Sequence, residues 1–317
     1  MNRFSPSLTV LAAAAATLLL APSAHAQLGR AWVSEATGDD ANSCAVLFPC
    51  RTLQGAYNKV DTGGEIHCID PGNYVGGVVI AKSVSILCEH TESNVIPGAA
   101  GFVIDGAPAG TIVTLAGHNI ECQGWGQNGI LVRNSGGIIL HVRNVQIRNC
   151  RGGGSGITVT PNSGASELYV VDSRITDSGH NALTGGIAIR PTGAASVRLH
   201  IERTMLENNS SGIKLDGTGG TGGIRGVIRD STVAGSPNTG IAASSGAPVH
   251  LLVSDVTSQS NGFGLTASGA NTRILVDHSR FIANGTGLSG STILSYGNSS
   301  VELNGTDGAF TGPIAYD

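Results

Sequence analysis

Three charged residues in the second half of the sequence are candidates for catalysis. Asp172 is followed two residues later by Arg174, and Asp230 lies in a similar stretch further along the chain. Hydrolysis of a glycosidic bond needs one carboxyl group to protonate the leaving oxygen and a second to activate water. Elimination from an acidic sugar instead needs an Arg or Lys base together with carboxylates that bind Ca²⁺. Asp172, Arg174 and Asp230 supply the residue types that these reactions use.

The same positions also fit a structural role, which we favour. Aligned stretches place Asp172 and Asp230 in one polar column, which consists of Asn144, Asp172, Arg203, Asp230, Asp255 and His278. Asn, Asp and Ser side chains stabilise turns by bonding to nearby backbone groups. One such residue in every unit is what a repeated turn predicts, whereas an active site would interrupt the pattern locally. A second series, formed by Asn149, Asn208, Asn261 and Asn284, predicts an internal ladder of turn residues.

Candidate binding residues are basic or aromatic. Four arginines fall close together and either face an acidic glycan or form an ordinary solvated surface: Arg133, Arg143, Arg148 and Arg151. Three aromatic residues either stack on sugars or pack within caps and turns: Trp32, Tyr74 and Trp125.

All six cysteines lie between Cys44 and Cys150, and their even number permits disulfides in an exported protein. We expect a Cys44–Cys50 disulfide, because these residues bracket a short loop that contains Pro49. The pairing of the other four stays open between stacked thiols and one disulfide that joins neighbouring repeats. No metal site is predicted, since neither the cysteines nor the scattered histidines have the paired spacing of a zinc site.

Composition and the N-terminus limit the classes of function. Charged residues make up 13% of the chain, aromatic residues 4%, and the formal net charge is −4, which argues against a nucleic-acid partner. Residues 1–26 have the layout of a cleaved secretory signal peptide, with a positive start, an apolar run and a small-x-small end at Ala26. No later segment approaches the ~20 apolar residues of a membrane span. We therefore expect export to the periplasm or the exterior.

An internal repeat predicts the fold. From residue 129 onward, Gly followed by an aliphatic residue returns at 129, 156, 186, 212, 240, 264 and 287, which is every 23 to 30 residues. Each return opens a short β-branched strand such as Gly156-Ile157-Thr158-Val159, and Gly-rich turns follow. Units of about 25 residues without helical spacing are single coils of a β-solenoid, in which equivalent strands stack about 4.8 Å apart. The sequence predicts an inward column of isoleucines: Ile130, Ile157, Ile187, Ile213 and Ile241.

The solenoid is expected to begin before residue 129. An aliphatic-x-Cys pattern ends at Cys68, Cys88 and Cys122, and we interpret it as one column that continues through Ile147-Arg148-Asn149. Including these units gives about ten coils.

The ends of the solenoid differ in the sequence. Leu53, Ala56, Tyr57 and Val60 form one apolar helix face between Thr52 and Asp61, which predicts a capping helix that Thr52 begins and Gly63 and Gly64 end. No comparable device is visible between residues 308 and 317. The predicted organisation is a signal peptide (1–26) and one parallel β-helix domain (27–317), with an N-terminal module and cap at 27–65, coils at 66–305 and a C-terminal end at 306–317.

Four segments near the N-terminus resemble the start of known proteins: Gly38-Asp39-Asp40-Ala41-Asn42, Pro49-Cys50-Arg51-Thr52-Leu53-Gln54-Gly55-Ala56, Gly63-Gly64-Glu65-Ile66 and Pro71-Gly72-Asn73-Tyr74. Together with the later Gly-Ile coils, they resemble secreted bacterial right-handed parallel β-helix proteins of the pectate-lyase-like superfamily. The resemblance covers nearly all of the chain after the signal peptide. It implies a right-handed parallel β-helix and, in many members, action on polysaccharides.

The catalytic motifs of that superfamily are absent. The only Asp-Asp pair, Asp39-Asp40, lies in the N-terminal module, and Ser178-Gly179-His180-Asn181 is not the histidine motif of the polygalacturonases. Val276-Asp277-His278 and Ile189-Arg190-Pro191 resemble lyase motifs only in part and occur in reversed order. We therefore expect a protein that interacts with polysaccharide without a recognisable catalytic motif. The alternatives are a lyase or hydrolase of acidic glycans, which as a lyase would use Ca²⁺, and a structural or adhesive protein.

Overall fold

The computed structural model describes residues 28–98, 100–125 and 128–314, so the expected signal peptide lies outside the described residues. Within these ranges the chain forms an all-β parallel solenoid with one helix. Strand β1 (Leu28–Val33) and helix α1 (Leu53–Lys59) come first. Nine turns of three strands each follow, then two strands of a tenth turn and a last short strand, in keeping with the roughly ten coils that the sequence predicts.

The first five turns have these strands: β2 (Val60–Cys68), β3 (Gly72–Val75) and β4 (Val78–Ile80); β5 (Val84–Leu87), β6 (Ser93–Ile96) and β7 (Ala100–Asp105); β8 (Ile112–Ala116), β9 (His118–Glu121) and β10 (Asn128–Arg133); β11 (Ile139–Arg143), β12 (Gln146–Arg148) and β13 (Ile157–Thr160); β14 (Ala165–Val171), β15 (Arg174–Thr176) and β16 (Ile187–Ile189).

The remaining strands are β17 (Ser196–Glu202), β18 (Met205–Glu207) and β19 (Ile213–Gly217); β20 (Ile224–Arg229), β21 (Thr232–Ala234) and β22 (Thr239–Ser245); β23 (Val249–Ser254), β24 (Thr257–Gln259) and β25 (Phe263–Ser268); β26 (Thr272–Asp277), β27 (Arg280–Ile282) and β28 (Thr286–Gly290); β29 (Ile293–Ser295) and β30 (Ser300–Glu302); and β31 (Gly312–Pro313).

The strands stack into three parallel sheets that run along the solenoid. Sheet 1 has 12 strands, which are the first strand of every turn together with β1 and β31. Sheet 2 has 10 strands and contains the second strand of every turn, and sheet 3 has 9 strands and contains the third. In each strand alternate side chains point into the solenoid or out of it.

The predicted isoleucine column is confirmed. Ile130, Ile157, Ile187, Ile213 and Ile241 pair in register on successive strands of sheet 3 and are fully buried. The preceding glycine recurs because adjacent turns approach too closely for a side chain. A Cβ atom added to Gly156 would lie 2.7 Å from the Gly186 carbonyl oxygen and 2.4 Å from the Ile175 side chain.

The polar column from Asn144 to His278 occupies one repeated corner between sheets 1 and 2. All six residues adopt a left-handed backbone, with φ values between 41° and 51° except for 54° at Asp255. Asn and Asp tolerate this conformation better than most residues, which explains their recurrence. The corner therefore provides a structural reason for Asp172 and Asp230.

The predicted asparagine ladder is wrong in its membership. Asn149 and Asn208 have left-handed backbones at the corner that follows sheet 2, whereas Asn261 and Asn284 lie one position later and are buried. The buried ladder consists of Asn209, Asn261, Asn284 and, partly exposed, Asn304. The two sets follow one another in the chain, so counting along the sequence merged them.

The single aliphatic-x-Cys column is also wrong. Ile66 and Ile86 lie in sheet 1, whereas Ile120 and Ile147 pair in sheet 2. The described cysteines form three disulfides, Cys44–Cys50, Cys68–Cys88 and Cys122–Cys150, so two of them join neighbouring turns. Both alternatives that the sequence left open for the other four cysteines, stacked thiols and a single inter-turn disulfide, are therefore wrong.

Both ends of the described solenoid are covered. Thr52 begins α1, since its hydroxyl accepts a hydrogen bond from the Gly55 N–H at 2.9 Å. The helix ends at Lys59 rather than at Gly63 and Gly64, because the chain becomes extended at Val60 to form β2. At the other end β31 pairs with β29 and Phe310 packs against the core, a cap that the sequence analysis missed.

Candidate functional site

The arginines proposed for binding do not form a common patch. Arg133 lies in sheet 3, Arg143 in sheet 1 and Arg148 in sheet 2, so each of the three is on a different face of the solenoid. Each makes an ion pair with a carboxylate: their partners are Asp105 (2.9 Å), Glu89 (3.0 Å) and Glu121 (2.5 Å), respectively. Arg151 likewise pairs with Asp177 at 2.8 Å. These exposed ion pairs fit the ordinary solvated surface, which is one of the two interpretations that the sequence allows.

The structure does not assemble the three catalytic candidates into one group. Asp172 pairs with Arg203, whose Nε lies 2.6 Å from its Oδ1 and holds the pKa of the carboxyl below its ordinary value. Arg174 lies on the outer face of sheet 2, where it pairs with Glu207 at 2.5 Å. Asp230 is two turns from Asp172 and lies 3.9 Å from Arg229. No hydrogen bond or ion pair joins Asp172, Arg174 and Asp230 to one another within the described chain.

The aromatic candidates also lie apart. Trp32 is partly buried beside His67, with ring centroids 5.0 Å apart, and Tyr74 is buried in the core. Trp125 is 79% exposed in the corner that follows β9.

A different set of residues forms a continuous surface on the outer face of sheet 1. One row of outward side chains, here named the central column, pairs in register on six successive strands: His141, Tyr169, His200, Val227, Leu252 and Leu275. The His141 and Tyr169 rings are stacked, with centroids 4.7 Å apart and planes at 19°, and the Tyr169 and His200 centroids are 6.2 Å apart. The column thus changes from aromatic to aliphatic along the solenoid.

Basic side chains line one side of the central column. Arg198, Arg225, His250 and Arg273 pair in register on β17, β20, β23 and β26, and all four are exposed. We name them the cationic column. Arg225, His250 and Arg273 border a shallow groove of about 390 Å³ whose floor includes Val227, Leu252 and Leu275.

The cationic column is unusual because basic side chains face one another on successive strands. Arg198 and Arg225 are like charges on adjacent strands, an arrangement that is destabilising. Five ion pairs elsewhere join charges of opposite sign on neighbouring turns: Arg30–Glu65, Asp105–Arg133, Glu121–Arg148, Asp172–Arg203 and Arg174–Glu207. Arg198 has one weak partner, Glu167 at 3.6 Å, whereas Arg225 and Arg273 have no carboxylate within ion-pair distance in the described part of the chain. Arg225 and Arg273 therefore present positive charges to solvent without a carboxylate partner among the described residues.

A buried carboxylate organises the other side of the central column. The Glu202 side chain is 11% exposed, and its Oε2 lies 2.8 Å from His200 Nε2 and 2.8 Å from Arg229; Arg203 is a further partner. Burial, with help from the positive charges of Arg229 and Arg203, lowers the pKa of His200. The imidazole is therefore neutral at neutral pH and is held in place by Glu202.

Tyr169 is held in a similar way on the preceding turn. Its hydroxyl donates a hydrogen bond to Glu167 Oε2 at 2.7 Å, and this bond raises the pKa of the phenol. Burial lowers the pKa of the neighbouring His141. Tyr169 therefore keeps its proton beside two histidines that are largely neutral at neutral pH.

Sequence reasoning missed this face, although a signal for it exists. In each turn the residue of the central column lies three positions before the residue of the polar column. The residue of the cationic column lies five positions before it. This count gives Arg198, Arg225, His250 and Arg273 directly. The turn residues recur more regularly than the outward positions of the strand before them, so the repeat in the sequence indicates the corner rather than this face.

Two further findings concern metals and membranes. Among the described residues, no group of three or more His, Cys, Asp and Glu side chains is placed to hold a metal ion. No helix in the ranges that the structure covers is both long and apolar enough to cross a bilayer.

The fold is similar to that of pectate lyase Pel9A, whose crystal structure superposes with a TM-score of 0.54 over 88% of this chain and 80% of that chain. The two sequences are 15% identical, so the likeness establishes the parallel β-helix fold alone. The GH136 lacto-N-biosidase from Eubacterium ramulus is more distant, with a TM-score of 0.42 and 12% identity over 84% of this chain and 57% of that one. The sequence matches no protein-family model and no curated protein. Three disulfides are typical of exported or extracellular proteins.

Proposed function

We propose that the protein binds an acidic polysaccharide outside the cytosol, along the outer face of sheet 1. The observation that carries this proposal is the cationic column, in which Arg198, Arg225, His250 and Arg273 face one another across four strands. The turns repeat about every 4.8 Å, so the column offers a basic side chain at regular intervals along the solenoid. A polymer with regularly spaced carboxylates matches such a row better than a single small anion does.

The central column supports a sugar ligand for a second reason. Sugar rings have apolar faces, which aromatic and aliphatic side chains can cover while charged groups bind the carboxylates. Tyr169 and His141 offer ring faces, and Leu252 and Leu275 offer an aliphatic floor beside Arg225 and Arg273. The surface therefore combines both kinds of contact along one line.

The test is the affinity for polygalacturonate and alginate, measured by isothermal titration calorimetry. The double variant Arg225→Gln/Arg273→Gln removes two unpaired cations from the groove, and we expect its affinity to fall at least ~10-fold, about 1.4 kcal/mol. The matched control is Arg51→Gln/Arg280→Gln, which removes the same charge from exposed arginines outside this face. The control should bind like the wild type.

Two further results decide the proposal. Binding should weaken as salt is added and should be absent for a neutral polysaccharide such as dextran, since the attraction is mainly between exposed charges. An equal loss of affinity in the two double variants would contradict the proposed face. No binding to any acidic polysaccharide would favour a structural or adhesive role instead.

We infer a second candidate function, elimination in an acidic polysaccharide, from the placement of His200 and Tyr169. In this reaction His200 takes the proton from C5 of a uronate, and the electrons of the C5–H bond form a C4–C5 double bond. The C4–O4 bond breaks as this double bond forms, its electron pair leaves with O4, and O4 takes the proton of the Tyr169 hydroxyl. Arg198 and Arg225, on the same face, are suited to hold the uronate carboxylate.

The unsaturated product absorbs in the ultraviolet, which gives the test of this second candidate. Tyr169→Phe should reduce the rate of product formation by roughly 10²-fold or more. Addition of EDTA distinguishes this route from the Ca²⁺-dependent elimination considered from the sequence. New reducing ends without ultraviolet absorbance would indicate hydrolysis and contradict elimination.

A further inference from the structure

Three histidines lie on the face to which we assign polysaccharide binding. His141 and His200 belong to the central column, and His250 belongs to the cationic column. They lie on β11, β17 and β23, which are the first strands of alternate turns. Each is in a position where an added proton places a positive charge on the surface of the proposed glycan site.

The charged groups around His141 and His200 are of both signs. His141 is flanked on its own strand by Arg143, which pairs with Glu89, and it faces Tyr169 and Glu167 from β14, while β8 presents Thr114. His200 has Arg198, Glu202 and Arg203 on its own strand or the following corner. From β14 it faces Glu167 and Tyr169, and from β20 it faces Arg225 and Arg229. Glu202 is shared with Arg203 and Arg229, Arg203 also pairs with Asp172, and Asp230 lies 3.9 Å from Arg229. Protonation of His200 therefore adds one positive charge to a cluster whose arginines already have carboxylate partners.

His250 lies between cations. It pairs in register with Arg225 on β20 and Arg273 on β26, and Leu252 is the next outward residue on its own strand. With Arg198 on β17, protonation of His250 would therefore complete a row of four positive charges. Without a bound anion, such a row is repulsive.

Imidazole is the side chain that ordinarily gains a proton as pH falls from 8 to 5. Carboxylates of uronic acids, with pKa values near ~4 like other carboxyl groups, remain ionised through most of this range. Acidification therefore increases the positive charge of the protein surface while the ligand keeps its negative charge. Burial lowers the pKa of His141 and of His200, so these two imidazoles gain their protons at a lower pH than an exposed imidazole does.

We propose that His141, His200 and His250 make acidic-polysaccharide binding on this face pH-dependent, tight in mildly acidic solution and weaker at neutral pH. This inference rests on the proposed function of the same face. By linkage, the bound polyanion stabilises the protonated imidazoles, so complex formation takes up protons. The face thus captures an acidic glycan in acid and releases it on neutralisation.

The experiment measures the dissociation constant for alginate at pH 5.5 and pH 7.5 at constant ionic strength. With three imidazoles gaining charge at exposed or partly exposed sites, we expect binding to be about 10-fold tighter at pH 5.5. In the triple variant His141→Gln/His200→Gln/His250→Gln, the ratio of the two constants should approach one. The ratio is the readout because the substitutions can also change the absolute affinity. His90→Gln/His180→Gln, which changes two exposed histidines in turns outside this face, should keep the wild-type ratio.

A second measurement needs no variant. Calorimetric titrations at pH 6.5 in buffers of different ionisation enthalpy give the number of protons taken up on binding, which should be positive. Binding whose affinity and proton count do not respond to pH would overturn this inference and leave the proposed function standing. Absence of binding at both pH values would overturn the proposed function itself. A pH dependence that persists in the triple variant would also contradict the assignment to these histidines.

Discussion

His118 is a titratable residue sealed inside the solenoid. Its side chain is almost fully buried, with Nε2 3.1 Å from the Ile86 carbonyl oxygen and Nδ1 3.3 Å from the Ser93 hydroxyl. The Phe102 ring lies 5.0 Å away, so the surroundings are largely apolar. Burial lowers the pKa of His118 to about 4, although the bond to the Ile86 carbonyl opposes the shift.

This residue predicts acid sensitivity. The unfolded chain protonates His118 near pH 6.5, whereas the folded protein resists protonation until about pH 4. The stabilising effect of the neutral imidazole is therefore complete above pH 6.5 and is lost as pH falls from there towards 4. Between pH 7 and pH 4.5 this single group lowers the free energy of unfolding by roughly 2–3 kcal/mol.

The measurement is urea denaturation of the wild type and of His118→Gln at both pH values. The variant should lose less stability between pH 7 and pH 4.5, by about that amount, because glutamine keeps polar atoms but does not titrate. His90→Gln serves as the control, since His90 is exposed. Equal pH dependence in all three proteins would show that His118 is not responsible.

The corner residues show that residue type alone does not identify a catalytic residue in this protein. Asp172 and Arg203 have φ values of 51° and 44°, and their side chains pair across adjacent turns. Asp172 is therefore explained by backbone conformation and one ion pair. Outward residues such as Arg225, which neither a turn nor an ion pair explains, carry the stronger functional signal.

The buried asparagine ladder is the main polar device that joins the C-terminal turns. Asn284 Nδ2 donates to the Ser258 carbonyl oxygen at 3.0 Å, and Asn284 Oδ1 accepts from the Asn261 backbone N–H at 2.9 Å. Asn304 makes the equivalent contacts with Asn284 one turn later, donating to the Phe281 carbonyl oxygen at 2.9 Å. Each amide therefore joins its own turn to backbone groups of the preceding turn.

Removal of one rung should be costly. Asn284→Ala leaves a buried carbonyl and a buried N–H without these partners, so we expect the free energy of unfolding to fall by roughly 2–4 kcal/mol. Chemical denaturation measures the change, with Asn162→Ala, at an exposed turn position, as the control. A loss of less than about 0.5 kcal/mol, the range of ordinary surface substitutions, would contradict a structural role for the ladder.

Cross-links are distributed unevenly along the whole molecule. Cys68–Cys88 joins the first and second turns, and Cys122–Cys150 joins the third and fourth, with a sequence separation of 28. All six cysteines of the chain lie at or before residue 150, so the later turns depend on packing and hydrogen bonds. In a solenoid each turn contacts mainly its neighbours, so such a difference has local effects.

Loss of one inter-turn disulfide should therefore weaken one part of the solenoid. Cys122→Ala/Cys150→Ala should lower the free energy of unfolding by about 3–4 kcal/mol. Hydrogen exchange followed by mass spectrometry should show faster exchange in β8 to β13 than in the wild type, with little change in β20 to β28. Cys44→Ala/Cys50→Ala is the comparison, and its effect should concentrate around β1 and α1. Uniform acceleration along the chain would contradict local stabilisation.

The sequence by itself determined the solenoid, the inward isoleucine column and the start of the capping helix at Thr52. These features depend on local information: the alternation of inward and outward residues, the return of Gly-Ile every 23 to 30 residues, and a helix face with its N-cap. The Cys44–Cys50 disulfide is predictable for the same reason, because one short loop separates the two cysteines. The signal peptide and the single-domain organisation remain predictions.

Only the tertiary structure decided which residues of different turns share a face. Turns differ in length, so a constant count along the chain drifts from one sheet to the next, as it did for the aliphatic-x-Cys series and the asparagines. The tertiary structure also places Arg133, Arg143 and Arg148 on three different sheets and pairs each of them with a carboxylate. Conversely, it aligned Arg198, Arg225, His250 and Arg273, which lie 23 to 27 residues apart in the sequence. The physical reason is that hydrogen-bonded register between strands, rather than distance along the chain, fixes which side chains become neighbours.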